Sequence, residues 1–130
     1  MTERPALGTA HRRGGAAWLV ALAIPVAACH PSREQDRAVS FTRLGQIALT
    51  QHACGSCHRI SGIQGADGRV GPPLVDYARR RMIAGVLPNT PANLARYLKA
   101  PRTVVPGNMM PQEALGDREI QGIVAYLGRH

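Results

Sequence analysis

The chain has 130 residues, and its 16 Arg and Lys outnumber eight Asp and Glu for a formal net charge of +8. That length holds one small domain and leaves no room for a multidomain enzyme. Beyond residue 28 the aromatics are Phe41, Tyr77, Tyr97 and Tyr126 alone, too thin a supply for a self-sufficient core, so the composition asks for a cofactor, a metal or cross-links.

Arg12 and Arg13 precede an apolar run over residues 16–28 that ends in small side chains. A basic start, a short apolar stretch and small residues before a cleavage point describe a secretory signal peptide over 1–28. The run is too short to span a bilayer comfortably. Val26-Ala27-Ala28-Cys29 resembles the lipobox of bacterial lipoproteins, which implies a lipid on Cys29 and a place on the periplasmic side of a bacterial membrane. Residues 29–39 are polar and include Pro31. They read as a flexible tether, with a reach of roughly 15–20 Å, leading to a domain over 40–130. From Cys29 onward there are thirteen basic and seven acidic residues, a net charge of +6. An exported chain seldom meets nucleic acid, so this surface suits an acidic protein partner or a membrane.

Ser40 is the expected N-cap of a first helix, whose apolar stripe is Leu44, Ile47, Ala48 and Leu49. Between residues 60 and 87 seven glycines and prolines punctuate the chain, which predicts loops and short turns. Thr90-Pro91 is a cap followed by proline at the first helical position. Leu94, Tyr97 and Leu98 give the second helix its stripe, and Pro101 ends it. Residues 104–112, held by Pro106 and Pro111, read as extended loop. The last helix starts near Gly116 with Glu119 as capping acid, buries Ile120, Ile123, Val124 and Leu127, and stops at Gly128. No strand of convincing length is expected. Three helices joined by such long loops make sense if the loops wrap a flat ligand.

The chemistry lies in Cys54-Gly55-Ser56-Cys57-His58. C-x-x-C-H reads as a c-type haem attachment site: two thiols one turn apart add to the two haem vinyl groups, and the adjacent imidazole comes under the iron. A thioredoxin-like dithiol would want a strand before the motif, where a helical stripe stands instead. A zinc site would want further cysteines or clustered histidines. The cysteine count closes on this reading, with Cys29 lipidated, Cys54 and Cys57 in thioethers, and no disulfide needed.

Three motifs in order then resemble the mono-haem class I cytochromes c over about residues 44–128. They are C-G-S-C-H, the turn Gly71-Pro72-Pro73-Leu74, and the loop Pro106-Gly107-Asn108-Met109-Met110-Pro111. Residues 83–110 look closest to the haem c domain fused to subunit II of certain haem-copper oxidases, although the copper domain and two membrane helices of such a subunit are absent from this sequence. The resemblance implies an all-α class I cytochrome c fold around one covalent haem c, with His58 and Met110 as axial ligands. It places a Pro72 carbonyl behind His58, and Tyr97 against the haem near the methionine. It implies an electron carrier without catalytic residues, relaying single electrons between a respiratory complex or dehydrogenase and an acceptor such as a terminal oxidase, as a monomer. Neutral methionine opposite histidine favours ferrous iron and raises the potential.

Arg79, Arg81 and Asn89 are candidates for the haem propionates. His30, His52 and His130 are the available alternatives to Met110. One departure concerns packing: five residues before Cys54 the family usually has an aromatic, and here Leu49 stands there. Gly45 and Tyr126 leave the crossing of first and last helices possible.

Overall fold

A computed structural model describes residues 33–130. Four helices carry the fold: α1, Arg33–Gln51; α2, Pro91–Lys99; α3, Pro101–Val104; and α4, Asp117–Leu127. Two strands of two residues each, β1 (Met82–Ile83) and β2 (Leu87–Pro88), pair antiparallel with Ile83 opposite Leu87. Single 3-10 turns cover Cys54–Ser56 and Tyr77–Arg79. The arrangement is helix-rich with long loops between the helices, which is what the class I cytochrome c resemblance implies.

The first helix begins earlier than expected. Residues 33–39 form its opening turns in place of an extended tether, and Ser40 lies inside the helix instead of capping it. Pro31 is the last helix breaker before this segment. Glu34 and Asp36 sit in the first turn, where carboxylates oppose the positive end of the helix dipole. Residues 33–40 are fully on the surface, so these turns rest on local propensity and charge rather than on packing. Cys29 and His30 lie outside the described residues.

The core forms where α1 crosses α4. Gly45, Ala48 and Leu49 are the buried positions of α1, whereas Ile47, assigned to the stripe from its spacing, is 44% exposed. On α4 the buried set is Ile120, Gly122, Ile123, Tyr126 and Leu127. Sealing side chains such as Leu49, Ile123 and Leu127 contributes about 1.5–3 kcal/mol each. Gly45 and Gly122 meet at the crossing, and a Cβ on Gly45 would stand 2.0 Å from the Gly122 carbonyl oxygen. This close approach takes the place of bulk, and Leu49 packs beside it without an aromatic. Tyr126 ties the helix pair to the loop beyond, donating from its hydroxyl to the Ser61 carbonyl at 2.6 Å.

The remaining caps follow the sequence. Thr90 accepts from the Asn93 N–H at 3.2 Å, and Glu119 accepts from the Gly116 N–H at 2.7 Å. Pro101 ends α2 but also opens α3, because proline's fixed φ suits a first helical position. Gly128 caps α4 with φ −68°, so its conformational freedom is not used there. Ala53 does adopt a left-handed conformation, φ 49°, and this break turns the chain out of α1 and into the cysteine motif.

Candidate haem-binding site

The segment after α1 is shaped by backbone contacts that only glycine permits. The Gly68 N–H donates to the Gly55 carbonyl, and the Gly71 N–H to that of Cys57. A Cβ on Gly68 would lie 2.4 Å from the Cys57 carbonyl carbon, and one on Gly71 would lie 2.3 Å from the His58 ring. Loop 59–71 is thereby held close against the cysteine turn, with Ile60 and Ala66 buried. The turn that follows sets the imidazole: His58 Nδ1 lies 2.7 Å from the Pro72 carbonyl oxygen, a pairing in which Nδ1 carries the proton. The other ring nitrogen is left as the free donor atom.

Cys54, Cys57 and His58 open onto one cavity of about 410 Å³. Leu49 of α1, Leu94 and Leu98 of α2, and Ile123 and Leu127 of α4 supply much of its apolar wall. The cavity therefore draws on both ends of the described chain. Burial pushes the Cys54 thiol above its ordinary pKa, and the nearby Glu113 carboxylate adds to the effect.

Met109 and Met110 both border this cavity, yet they differ in setting. Met110 packs against the core cluster, whereas Met109 is 88% exposed. The Met110 N–H donates to Asn108 Oδ1 at 2.8 Å, and the Asn108 amide donates to the Tyr97 hydroxyl at 2.5 Å. Tyr97 thus holds the methionine loop through Asn108, a link that sequence inspection passed over. Two alternatives to Met110 are otherwise engaged. His52 borders the cavity but lies 3.2 Å from Glu119 and 3.9 Å from Glu113. His130 stacks on Tyr126 at 4.3 Å between centroids.

The candidate propionate residues also separate. Arg79 and Arg81 are exposed and do not border the cavity, and the Asn89 amide is taken up by the Tyr77 and Arg80 carbonyls. Arg80, between the two arginines singled out, is the one that borders it. Nothing in an Arg79-Arg80-Arg81 run distinguishes its middle member until the 3-10 turn orients it.

The sequence profile of the Cytochrome c family matches residues 43–130. The chain belongs to the cytochrome c family. Its relatives include cytochrome c oxidase subunit 2 of Alkalihalophilus pseudofirmus (strain ATCC BAA-2126 / JCM 17055 / OF4), 29% identical over 94 residues, which cover 72% of this chain and 27% of that protein. Cytochrome c oxidase subunit 2 of Bacillus sp. (strain PS3) is 32% identical over 84 residues, covering 62% of this chain and 24% of the relative. The chain spans about a quarter of the length of these curated relatives. No solved structure matches it. A cytochrome c carries covalently bound haem c and transfers electrons, and Cys54 and Cys57 stand in the C-x-x-C-H sequence that such attachment requires. The site fits the cofactor: an apolar cavity, two thiols at its edge, one oriented imidazole, and a buried phenol on Tyr77 with no hydrogen-bond partner among the described residues.

Proposed function

We propose that this cytochrome c is a periplasmic, lipid-anchored mono-haem carrier that passes single electrons to an acceptor such as a terminal oxidase. The observation that carries the proposal is the single apolar cavity bordered by Cys54, Cys57, His58 and Met110 together. In this reading Cys54 and Cys57 would hold the haem covalently, and His58 and Met110 would ligate its iron. When bound, the haem supplies an iron that cycles between ferric and ferrous states.

The protein's part is to keep that site rigid and dry. Pro72 and Gly71 hold the His58 ring, one by hydrogen bond and one by close approach. Asn108 and Tyr97 hold the loop that presents Met110. Leu94, Leu98, Ile123 and Leu127 line the cavity with apolar side chains, which disfavour water and would limit rearrangement when the charge of a bound iron changes. A neutral thioether ligand from Met110 would favour the reduced state of the iron. The net charge of +6 beyond residue 28 suits an acidic docking surface on the redox partner. The two relatives named as oxidase subunits support an oxidase as that partner. Cys29, outside the described residues, is assigned the lipid on the strength of its lipobox-like context.

The test is a reductive titration of the haem-loaded protein with added carbon monoxide and peroxide as probes. One electron per chain, an unshifted ferrous spectrum under carbon monoxide and no peroxide turnover are expected. Rapid ligand binding or steady peroxide consumption would overturn the carrier reading in favour of a haem enzyme or gas sensor.

A further inference from the structure

A second hollow lies on the outer side of α1, away from the haem cavity. This open groove of about 480 Å³ is lined by Val39, Thr42, Arg43, Gln46 and Ile47 of α1 and by Arg129 beyond α4. Val39, Arg43 and Ile47 stand at i, i+4 and i+8, so they make one row along the helix. Val39 is 61% exposed and Ile47 44%. Covering such side chains is favourable, yet no other element of the domain does so.

The rim of the groove is cationic. Arg43 and Arg129 are both exposed, and neither has a carboxylate at ion-pair distance among the described residues. Arg129 is held over α1 by a hydrogen bond that its Nη1 donates to Thr42 Oγ1 at 3.3 Å, and the Thr42 hydroxyl in turn donates to the Ala38 carbonyl. No acidic residue lines the groove. The acids of α1, Glu34 and Asp36, lie in its first turn. Apolar side chains flanked by arginines suit a lipid–water boundary, where the former enter the headgroup layer and the latter meet phosphates.

Chain position decides between a lipid surface and an acidic protein. Only residues 30–32 separate Cys29 from Arg33, and four residue steps reach at most about 14 Å. Because α1 begins at Arg33, Val39 lies about 9 Å and Ile47 about 21 Å along the axis from the helix start. A lipid on Cys29 therefore keeps the start of α1 at the membrane, and laying the helix down brings the whole row into the headgroups. We infer that the Val39–Arg43–Ile47 face of α1, with Arg129, rests on an anionic membrane surface. This rests on the lipid anchor proposed above and adds an orientation to it. Leu49, which lines the haem cavity, is two residues from Ile47 and so about 200° around the helix from it. The cavity and the groove share no residue, so a domain lying on this face leaves the cavity border uncovered for a redox partner.

The experiment measures co-sedimentation of the haem-loaded Cys29→Ser chain with vesicles of phosphatidylglycerol and phosphatidylcholine in equal parts. This form carries no lipid, so the result does not depend on acylation, whose failure shows instead in the detergent partition of the native chain. Binding that weakens with added salt is expected, with far less on phosphatidylcholine alone. Arg43→Gln with Arg129→Gln should lower the partition coefficient about 25-fold, at roughly fivefold for each basic residue near an anionic surface. Ile47→Ser should lower it as well. Arg102→Gln with Arg118→Gln removes the same charge from exposed positions outside the groove, and should cost no more than about threefold through general attraction. An unaltered haem spectrum in every variant checks that the fold is retained. Equal losses from the two arginine pairs, or no binding to the anionic vesicles, would overturn the inference. Self-association of the unacylated chain that Ile47→Ser abolishes would give the groove to a second copy and overturn it too.

Discussion

Gly45 of α1 and Gly122 of α4 touch backbone to backbone, each occupying the space where the other's Cβ would stand. The obstructing atoms at Gly45 are the Gly122 carbonyl and the Ile123 nitrogen, none of which can swing aside as a side chain would. Gly45→Ala should therefore destabilise the haem-loaded protein by about 3 kcal/mol, the upper end for overpacking a tight core. Gly122→Ala should act alike, and the double substitution should be far from additive because both disturb one contact. Chemical denaturation of the four forms checks this; a loss below about 0.5 kcal/mol for either single variant would mean the helices part easily.

Two adjacent methionines give the clearest test of iron ligation. Met110→Ala should abolish the long-wavelength sulfur-to-iron band of the oxidised protein, lower its potential and open the iron to cyanide. Met109, 88% exposed, should tolerate alanine with the band intact. Neighbouring side chains in an extended segment point to opposite sides, so at most one of the two substitutions should carry the effect, and an intact band in both would remove methionine ligation from the proposal. Optical spectra of the two variants decide; reversed behaviour would place the loop one residue out of register.

Acid stability should report on Glu119. The Gly116 N–H first, and His52 second, hold its carboxyl below the ordinary value of 4.5. A carboxyl depressed by folding adds stability above its unfolded pKa, and that contribution disappears as pH falls through the folded value. Melting temperatures of the native chain and Glu119→Gln should therefore differ at neutral pH and converge as pH drops below about 4.5, the ordinary carboxylate value. Parallel curves across that range would show that the cap is not coupled to the acid limb.

Lipidation predicts a simple partition. The native protein should enter the detergent phase, and Cys29→Ser should release a soluble cytochrome with an unaltered spectrum, since several acyl chains anchor stably where one alone binds only marginally. Recovery of the native protein from the aqueous phase would remove the anchor from the proposal.

The parts legible in the sequence were those written as local chemistry. Cys54-Gly55-Ser56-Cys57-His58 names its own cofactor, Thr90-Pro91 announces a helix start, and Glu119 three residues beyond Gly116 announces another. What stayed hidden depends on partners distant along the chain. Gly122 reads as a weak point in a helix until Gly45 is found against it. Arg80 cannot be told from Arg79 and Arg81 by composition, since only the left-handed Asp76 (φ 52°) and the turn after it decide which arginine faces inward. The unpaired hydroxyl of Tyr77 is likewise a property of the assembled cavity, which no local pattern reports. The early start of α1 at Arg33 was missed for a different reason: polarity suggested a tether, yet Glu34 and Asp36 at an N-terminus favour a helix without any burial.

Leu49, Ile123 and Leu127 serve at once in the α1–α4 core and in the cavity wall. Opening the helix pair therefore dismantles the site, so global unfolding and loss of the iron environment form one event. For a protein that borrows its cofactor from solution, that coupling would make the melting point depend on free ligand, through the mass-action relation between occupancy and stability. Haem c is attached to the chain and cannot be lost by dilution. Unfolding and recovery should accordingly be a one-molecule cycle, with a midpoint independent of both protein and free haem concentration.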